Sequence, residues 1–266
     1  MQTIKRVEKM YSLSICADTL FCELPFEQRV KQIADAGYPV EFWTWQGRDI
    51  DTLARDPNIK IISFLGSNEG SLVHPSGLKV FLESAMQTIP IAQQLQCQQL
   101  VLLTGPLNTK GETDHPIAIH PATRWITAYK GLCQMAEIAE KYDLIYNLET
   151  LNTKIDHIGY PLTLVEDAVH LIEQVDSPRI KILLDIYHVQ IQEGNVLDLI
   201  HKYANHIGHV HVADVPGRHE PGTGEINYPQ VSAALRDIGY EGTVGLECYP
   251  QRDSHEAMVQ FKEIFS

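Results

Sequence analysis

IKILLDIYHVQIQEGNVLDLIHKYANHIGHVHVA, residues 180–213, reads as two apolar strands separated by a helix. The runs 180–186 and 209–213 are rich in Ile, Leu and Val, the composition of strands buried on both faces. Between them, residues 196–206 repeat apolar side chains every three or four positions, as an amphipathic helix does. Strands joined through a helix run parallel, because a parallel pair needs a long crossover. The alternation extends in both directions. Further strand candidates are 11–17, 39–45, 60–66, 99–104, 144–149 and 243–248, and further helical segments are 25–36, 49–55, 77–95, 123–142, 162–175, 228–238 and 254–265. Eight strands, each followed by a helix, in a chain of 266 residues is the arithmetic of an α/β protein with one domain, a (β/α)8 TIM barrel. The competing open, doubly wound sheet would more often have fewer strands and would carry a Gly-x-Gly-x-x-Gly turn after an early strand, which is missing here.

The barrel is expected over residues 11–266, with the charged segment MQTIKRVEKM (1–10) as a disordered leader. That segment has no signal-peptide core, and no run approaches the roughly 18 apolar residues of a membrane span. Cys16, Cys22, Cys97, Cys133 and Cys248 are odd in number and lack Cys-x-x-Cys spacing, as in a reducing compartment. A cytoplasmic location is expected. With 21 basic and 34 acidic residues the net charge is −13, which argues against nucleic-acid or anionic-membrane partners and leaves a small molecule as the expected ligand. Many barrels self-associate, but no homo-oligomer interface is identifiable in the sequence.

A barrel places its chemistry at the carboxyl ends of its strands. There the fifth strand ends in Asn147-Leu148-Glu149, the sixth in Leu184-Asp185-Ile186 and the eighth in Leu246-Glu247-Cys248, while the seventh holds His211. Each charge sits in apolar sequence, where it would be costly if uncompensated. The strands supply almost no basic partners, Lys181 lying at the opposite end of its strand. A divalent cation accounts for the set Glu149, Asp185, His211 and Glu247 better than buried ion pairs do. Three carboxylates and one imidazole suit Mg2+, Mn2+ or Co2+, with Zn2+ less natural in the absence of a thiolate.

The seventh strand runs into the loop of HVHVADVPGRHEPGTGEIN (209–227). Arg218 in that loop is placed to neutralise charge on an enolate oxygen. His209, one layer below His211, is expected to pack and hydrogen-bond inside the barrel. Gly222 and Gly224 supply tight backbone, without the pattern of a phosphate-binding loop. Strand alternation cannot set His188 on the same face as Asp185, so His188 must lie where its strand is ending. Phe42, Trp43 and Trp45 read first as core, with pocket walls the alternative for two aromatics at a strand end, and His74, His115, His120 and His157 as exposed loop histidines.

Taken together, LETLN (148–152), DIYHVQ (185–190), IGHVHVAD (207–214), GRHEPGTGEINY (217–228) and GLECYPQ (245–251) resemble the hydroxypyruvate isomerase family, one of the xylose isomerase-like barrels alongside the ketose 3-epimerases. FEQRVKQIADAGYPVEFWTW (26–45) is similar too, but less specific. The resemblance implies that Glu149, Asp185, His211 and Glu247 are the metal positions, with Glu149 and Glu247 also the catalytic acid/base pair. It further implies that His188 and Arg218 contact substrate. Thr150 stands where the family often has Pro, and His211 where hydroxypyruvate isomerases can carry Gln. The activity implied is isomerisation of hydroxypyruvate to tartronate semialdehyde through an enediolate. A ketose 3-epimerase, an inosose dehydratase-like lyase and an abasic-site endonuclease are the alternatives.

Overall fold

The computed structural model describes residues 11–113 and 119–266, and Met1 to Met10 and His115 lie outside the described residues. Eight parallel strands close into one barrel in sequence order: β1 (Ser12–Cys16), β2 (Val40–Glu41), β3 (Ile61–Leu65), β4 (Gln99–Leu102), β5 (Ile145–Glu149), β6 (Ile180–Asp185), β7 (Ile207–Val212) and β8 (Thr243–Leu246). The helices between them are α1 (Phe26–Asp35), α2 (Ile50–Arg55), α3 (Leu78–Gln94), α4 (Pro121–Tyr142), α5 (Val165–Val175), α6 (Ile186–Gln192), α7 (Val196–Lys202) and α8 (Tyr228–Asp237), and α9 (Ser254–Phe265) follows β8. The expected strand and helix succession is therefore present, with no membrane-length apolar helix among the described residues.

Two local departures matter. The expected strand 39–45 is regular only at Val40–Glu41, where its pairing with β3 shifts register. Beyond it the Trp43 carbonyl still accepts from Leu65 N of β3 at 2.9 Å, but its backbone N–H turns to Asp18 Oδ2 at 2.7 Å. The second departure is α6, absent from the sequence expectations. It begins immediately after Asp185, whose Oδ1 accepts from the backbone N–H of Tyr187 (2.8 Å) and His188 (3.2 Å). A carboxylate at the N-cap satisfies free amides and suits the positive end of the helix, so the chain turns helical where an extended end was expected.

Helix faces bury Val30, Ile33, Phe81, Leu132, Ile172, Leu235 and Phe261 against the outside of the sheet. Inside the barrel, the usual branched apolar layers give way to buried Ser14, Glu41, Asn147 and His209. Strand register then sets the levels: Asp185 pairs with His211, and His211 with Gly245. Gly245 is required there, since a Cβ would lie 2.3 Å from Glu41 Oε1 and 3.0 Å from His211 Cδ2.

Candidate metal centre and active site

Glu149, Asp185, His211 and Glu247 each offer one ligand atom, all within 4.8 Å of one another. The four expected from separate strands thus converge, all buried. Glu149 and Asp185 end β5 and β6, His211 lies within β7, and Glu247 falls one residue beyond β8. Because Asp185 spends Oδ1 on the cap of α6, its Oδ2 is the oxygen turned to the cluster, 3.3 Å from Arg218 Nη2 and 3.5 Å from His188 Nε2.

Burial raises the Glu149 carboxyl well above its usual range, with Glu247 and Asp185 adding to the rise and His211 and Arg218 opposing it. Burial acts the same way on Asp185, against the pull of Arg218. On Glu247 burial is outweighed by Arg218 and His211, which hold it well below the carboxylate range. His211 is raised: burial disfavours its charge, but Glu247 and Glu41 more than compensate. The two glutamates are therefore driven in opposite directions, Glu149 upward and Glu247 downward.

Glu41 went unnoticed in the sequence. Its Oε2 meets His211 Nε2 at 2.8 Å and His209 Nε2 at 3.0 Å, while Ser14 Oγ donates to Oε1. His209 accordingly has the buried hydrogen-bonding role expected of it. Glu41 fixes the outer nitrogen of His211 and turns Nδ1 inward, where it is buried without a hydrogen-bond partner, 3.3 Å from Glu247 Oε2. A carboxylate behind a histidine with its other nitrogen bare is how proteins hold an imidazole for a cation. The donor set fits one: three clustered carboxylates and an imidazole nitrogen without a hydrogen-bond partner make a hard, oxygen-rich site. The signal for Glu41 was present in PVEFW (39–43), an acid in an apolar run as at the other strand ends.

Arg218 comes from the loop after β7, with Nη2 2.5 Å from Glu247 Oε2. The bland alternative of paired buried charge is thus partly realised, through a loop residue rather than a strand neighbour. Arg218 takes φ +55°, a conformation costing a non-glycine residue about 1–2 kcal/mol, and its carbonyl accepts from Tyr249 N at 2.7 Å. The loop is held by Asp214, fully buried, whose Oδ1 accepts from Val215 N (2.9 Å) and Ile226 N (3.0 Å) and whose Oδ2 accepts from Gly222 N (2.8 Å). Gly224 must be glycine, since a Cβ would stand 2.1 Å from Val215 O.

His188 sits on the first turn of α6, buried, with Nδ1 2.8 Å from Asn152 Nδ2. Burial, followed by Arg218, pushes its imidazole well below the usual range, so it is neutral. Two aromatic expectations need correcting. Trp43 is no core residue: its Nε1 donates to Glu247 Oε1 at 2.5 Å. Phe42 and Trp45 do pack inward, Phe42 stacked on Phe64 and Trp45 Nε1 donating to Thr88. His157 is not a free loop histidine, for its Nδ1 donates to Gly111 O at 2.7 Å and its ring packs edge-on against His188.

Residues 21–263 match the xylose isomerase-like TIM barrel family. The chain is 29% identical to the hydroxypyruvate isomerase of Escherichia coli (strain K12) over 91% of its own length and 95% of the relative's. It is 30% identical to a D-psicose 3-epimerase of Enterocloster bolteae over 58% of this chain and 50% of that one. A crystal structure described as an AP endonuclease, family 2, from Brucella melitensis superposes with TM-score 0.85 at 26% identity, covering 96% of this chain and 99% of that one. Barrel, strand-end carboxylates and sequence likeness over nearly the whole length lead to one conclusion: the chain belongs to the xylose isomerase-like TIM barrel family.

Proposed function

We propose that this isomerase moves a proton between neighbouring carbons of a small α-hydroxycarbonyl compound, and that hydroxypyruvate and tartronate semialdehyde are its substrate and product. The observation that carries the reading is the convergence of two glutamates, Glu149 and Glu247, with Asp185 and His211 in one buried cluster at the barrel mouth. Two carboxylates brought to one buried site can serve as an acid/base pair for proton transfer at carbon. Glu247 takes the proton from the hydroxyl-bearing carbon, leaving an enediolate. Glu247, or Glu149 opposite it, returns a proton at the adjacent carbon, while the hydroxyl proton passes to the former carbonyl oxygen. Glu149, Asp185, His211 and Glu247 would hold a divalent cation, Mg2+ or Mn2+ before Co2+ or Zn2+, which when bound supplies Lewis-acid stabilisation of developing oxygen charge. Arg218 carries positive charge beside the reacting oxygens, and His188 contacts substrate from α6.

The E. coli relative named hydroxypyruvate isomerase supports this substrate. A ketose 3-epimerase is the second reading: two glutamates facing one carbon also serve that reaction, and the D-psicose 3-epimerase relative supports it. The test is a coupled assay with hydroxypyruvate beside a panel of ketoses, before and after EDTA treatment and restoration of Mg2+ or Mn2+. Turnover of hydroxypyruvate, lost on chelation and recovered on restoration, is expected. Turnover confined to ketoses replaces the substrate assignment, and full activity after verified cation removal overturns the cation's role. The five free cysteines lead us to propose a cytoplasmic enzyme, and the net charge of −13 one without nucleic-acid or membrane partners. An abasic duplex at low salt should migrate unretarded and uncut in its presence.

A further inference from the structure

We infer that Asn152 is a positioning residue that fixes the hydrogen-bonding polarity of His188, making it a donor through Nε2 to an acceptor oxygen of the ligand. The inference rests on the proposed reading of His188 as a substrate contact, but its structural core does not.

Asn152 is fully buried on the loop after β5. Its Oδ1 accepts from two backbone amides, Ile155 N and Asp156 N, each at 3.1 Å. Its Nδ2 lies 2.7 Å from Asp156 Oδ2 and 2.8 Å from His188 Nδ1. Both lone pairs and both amide hydrogens are thereby used, which is the full capacity of the group. The amide has one acceptable orientation. Reversed, it would set its NH2 against two N–H groups and its oxygen against a carboxylate.

The tautomer of His188 follows from that orientation. Asn152 Nδ2 has only hydrogens to give, so the Nδ1 it faces must be a bare acceptor. A neutral imidazole carries one N–H, which is then on Nε2. That nitrogen is the one on the cluster side, 3.5 Å from Asp185 Oδ2, beyond good hydrogen-bond range. The ring is further held edge-on by His157 and Tyr187. His188 therefore presents a fixed, uncharged donor. It selects a carbonyl, carboxylate or hydroxyl oxygen as its partner, and with no lone pair on Nε2 it cannot act as base, which leaves carbon deprotonation to the glutamates.

The experiment is a long-range 1H–15N correlation spectrum of imidazole nitrogens in the full chain with Mg2+ present, His188 being assigned by the signal lost in His188→Gln. A bare, pyridine-type Nδ1 and a protonated, pyrrole-type Nε2 are expected. Asn152→Asp places an acceptor against Nδ1 and should move the proton onto it, with kcat/KM falling at least about tenfold, as expected when one well-placed hydrogen bond is lost. A pyrrole-type Nδ1 in the wild type overturns the inference, as does an unchanged tautomer in folded Asn152→Asp. If that variant fails to fold, the wild-type spectrum alone decides. A bare Nδ1 in a chain inactive on hydroxypyruvate and all ketoses defeats the proposed reaction only, whereas a protonated Nδ1 in an active enzyme defeats this inference only.

Discussion

The two halves of the barrel mouth are built alike and equipped differently. Strands β5 to β8 deliver Glu149, Asp185, His211 and Glu247, each carrying its own ligand atom to the cluster. The β1–β4 half delivers Glu41 and Trp43, which reach across to touch His211 and Glu247 from behind and from the side. One half holds the proposed reacting groups, while the other braces His211 and hydrogen-bonds Glu247. The division teaches that a site can be confined to half of a ring and still depend on all of it.

The sharpest way to break the comparison is within the reacting half. Glu149→Gln and Glu247→Gln should each lower kcat by roughly 10²–10⁴-fold, the worth of positioned acid–base catalysis, with an unchanged circular dichroism spectrum. Near-normal turnover in either would remove the distinction between the halves. A smaller loss is expected across the ring. Glu41→Gln should weaken Mg2+ or Mn2+ binding by roughly 10–100-fold in calorimetric titration, the usual effect of disturbing the support of a metal-bound histidine; unaltered affinity would reduce Glu41 to packing.

Acidity offers a third measure. The raised Glu149, Asp185 and His211 keep protons at a pH where their unburied counterparts have lost them. A cation must displace those protons, so its affinity should fall as pH falls, by roughly tenfold per pH unit for each proton displaced. Calorimetry in buffers of different ionisation enthalpy counts the protons, and a zero count would contradict the assigned protonation. The smallest effect belongs to Trp43→Phe. It removes a hydrogen bond that favours ionised Glu247, so the acidic limb of the kcat profile should move upward in pH with a loss below about tenfold, the lower range for a hydrogen bond to a charged group. A displacement downward would show that the indole acts otherwise.

The same contrast explains what the sequence made legible. Acids ending apolar strands betray themselves one strand at a time, so Glu149, Asp185 and Glu247 could be named without a structure, and the barrel required only the count of alternating periods. Glu41 carried the same mark. It was harder to weigh because its partners, His209 and His211, are far off in sequence and its strand is only two residues long. Residues 186–192 looked like a strand's rim because the helix there depends on Asp185 as a cap rather than on a long apolar period. The pairing of Arg218 with Asp185 and Glu247 depends on a loop whose shape comes from Asp214 and glycines, contacts that no local period encodes.

Gly245 places a limit on how this barrel can change. Its missing side chain makes the room that the Glu41 carboxylate fills beside His211. Positions 41 and 245 are consequently one unit of variation: a larger residue at 245 is admissible only with a shorter one at 41, and the histidine they flank loses its brace in the exchange. In a library built to alter substrate choice, randomising either position alone would mostly sample failures, whereas varying the two together would explore new packings beneath the cluster.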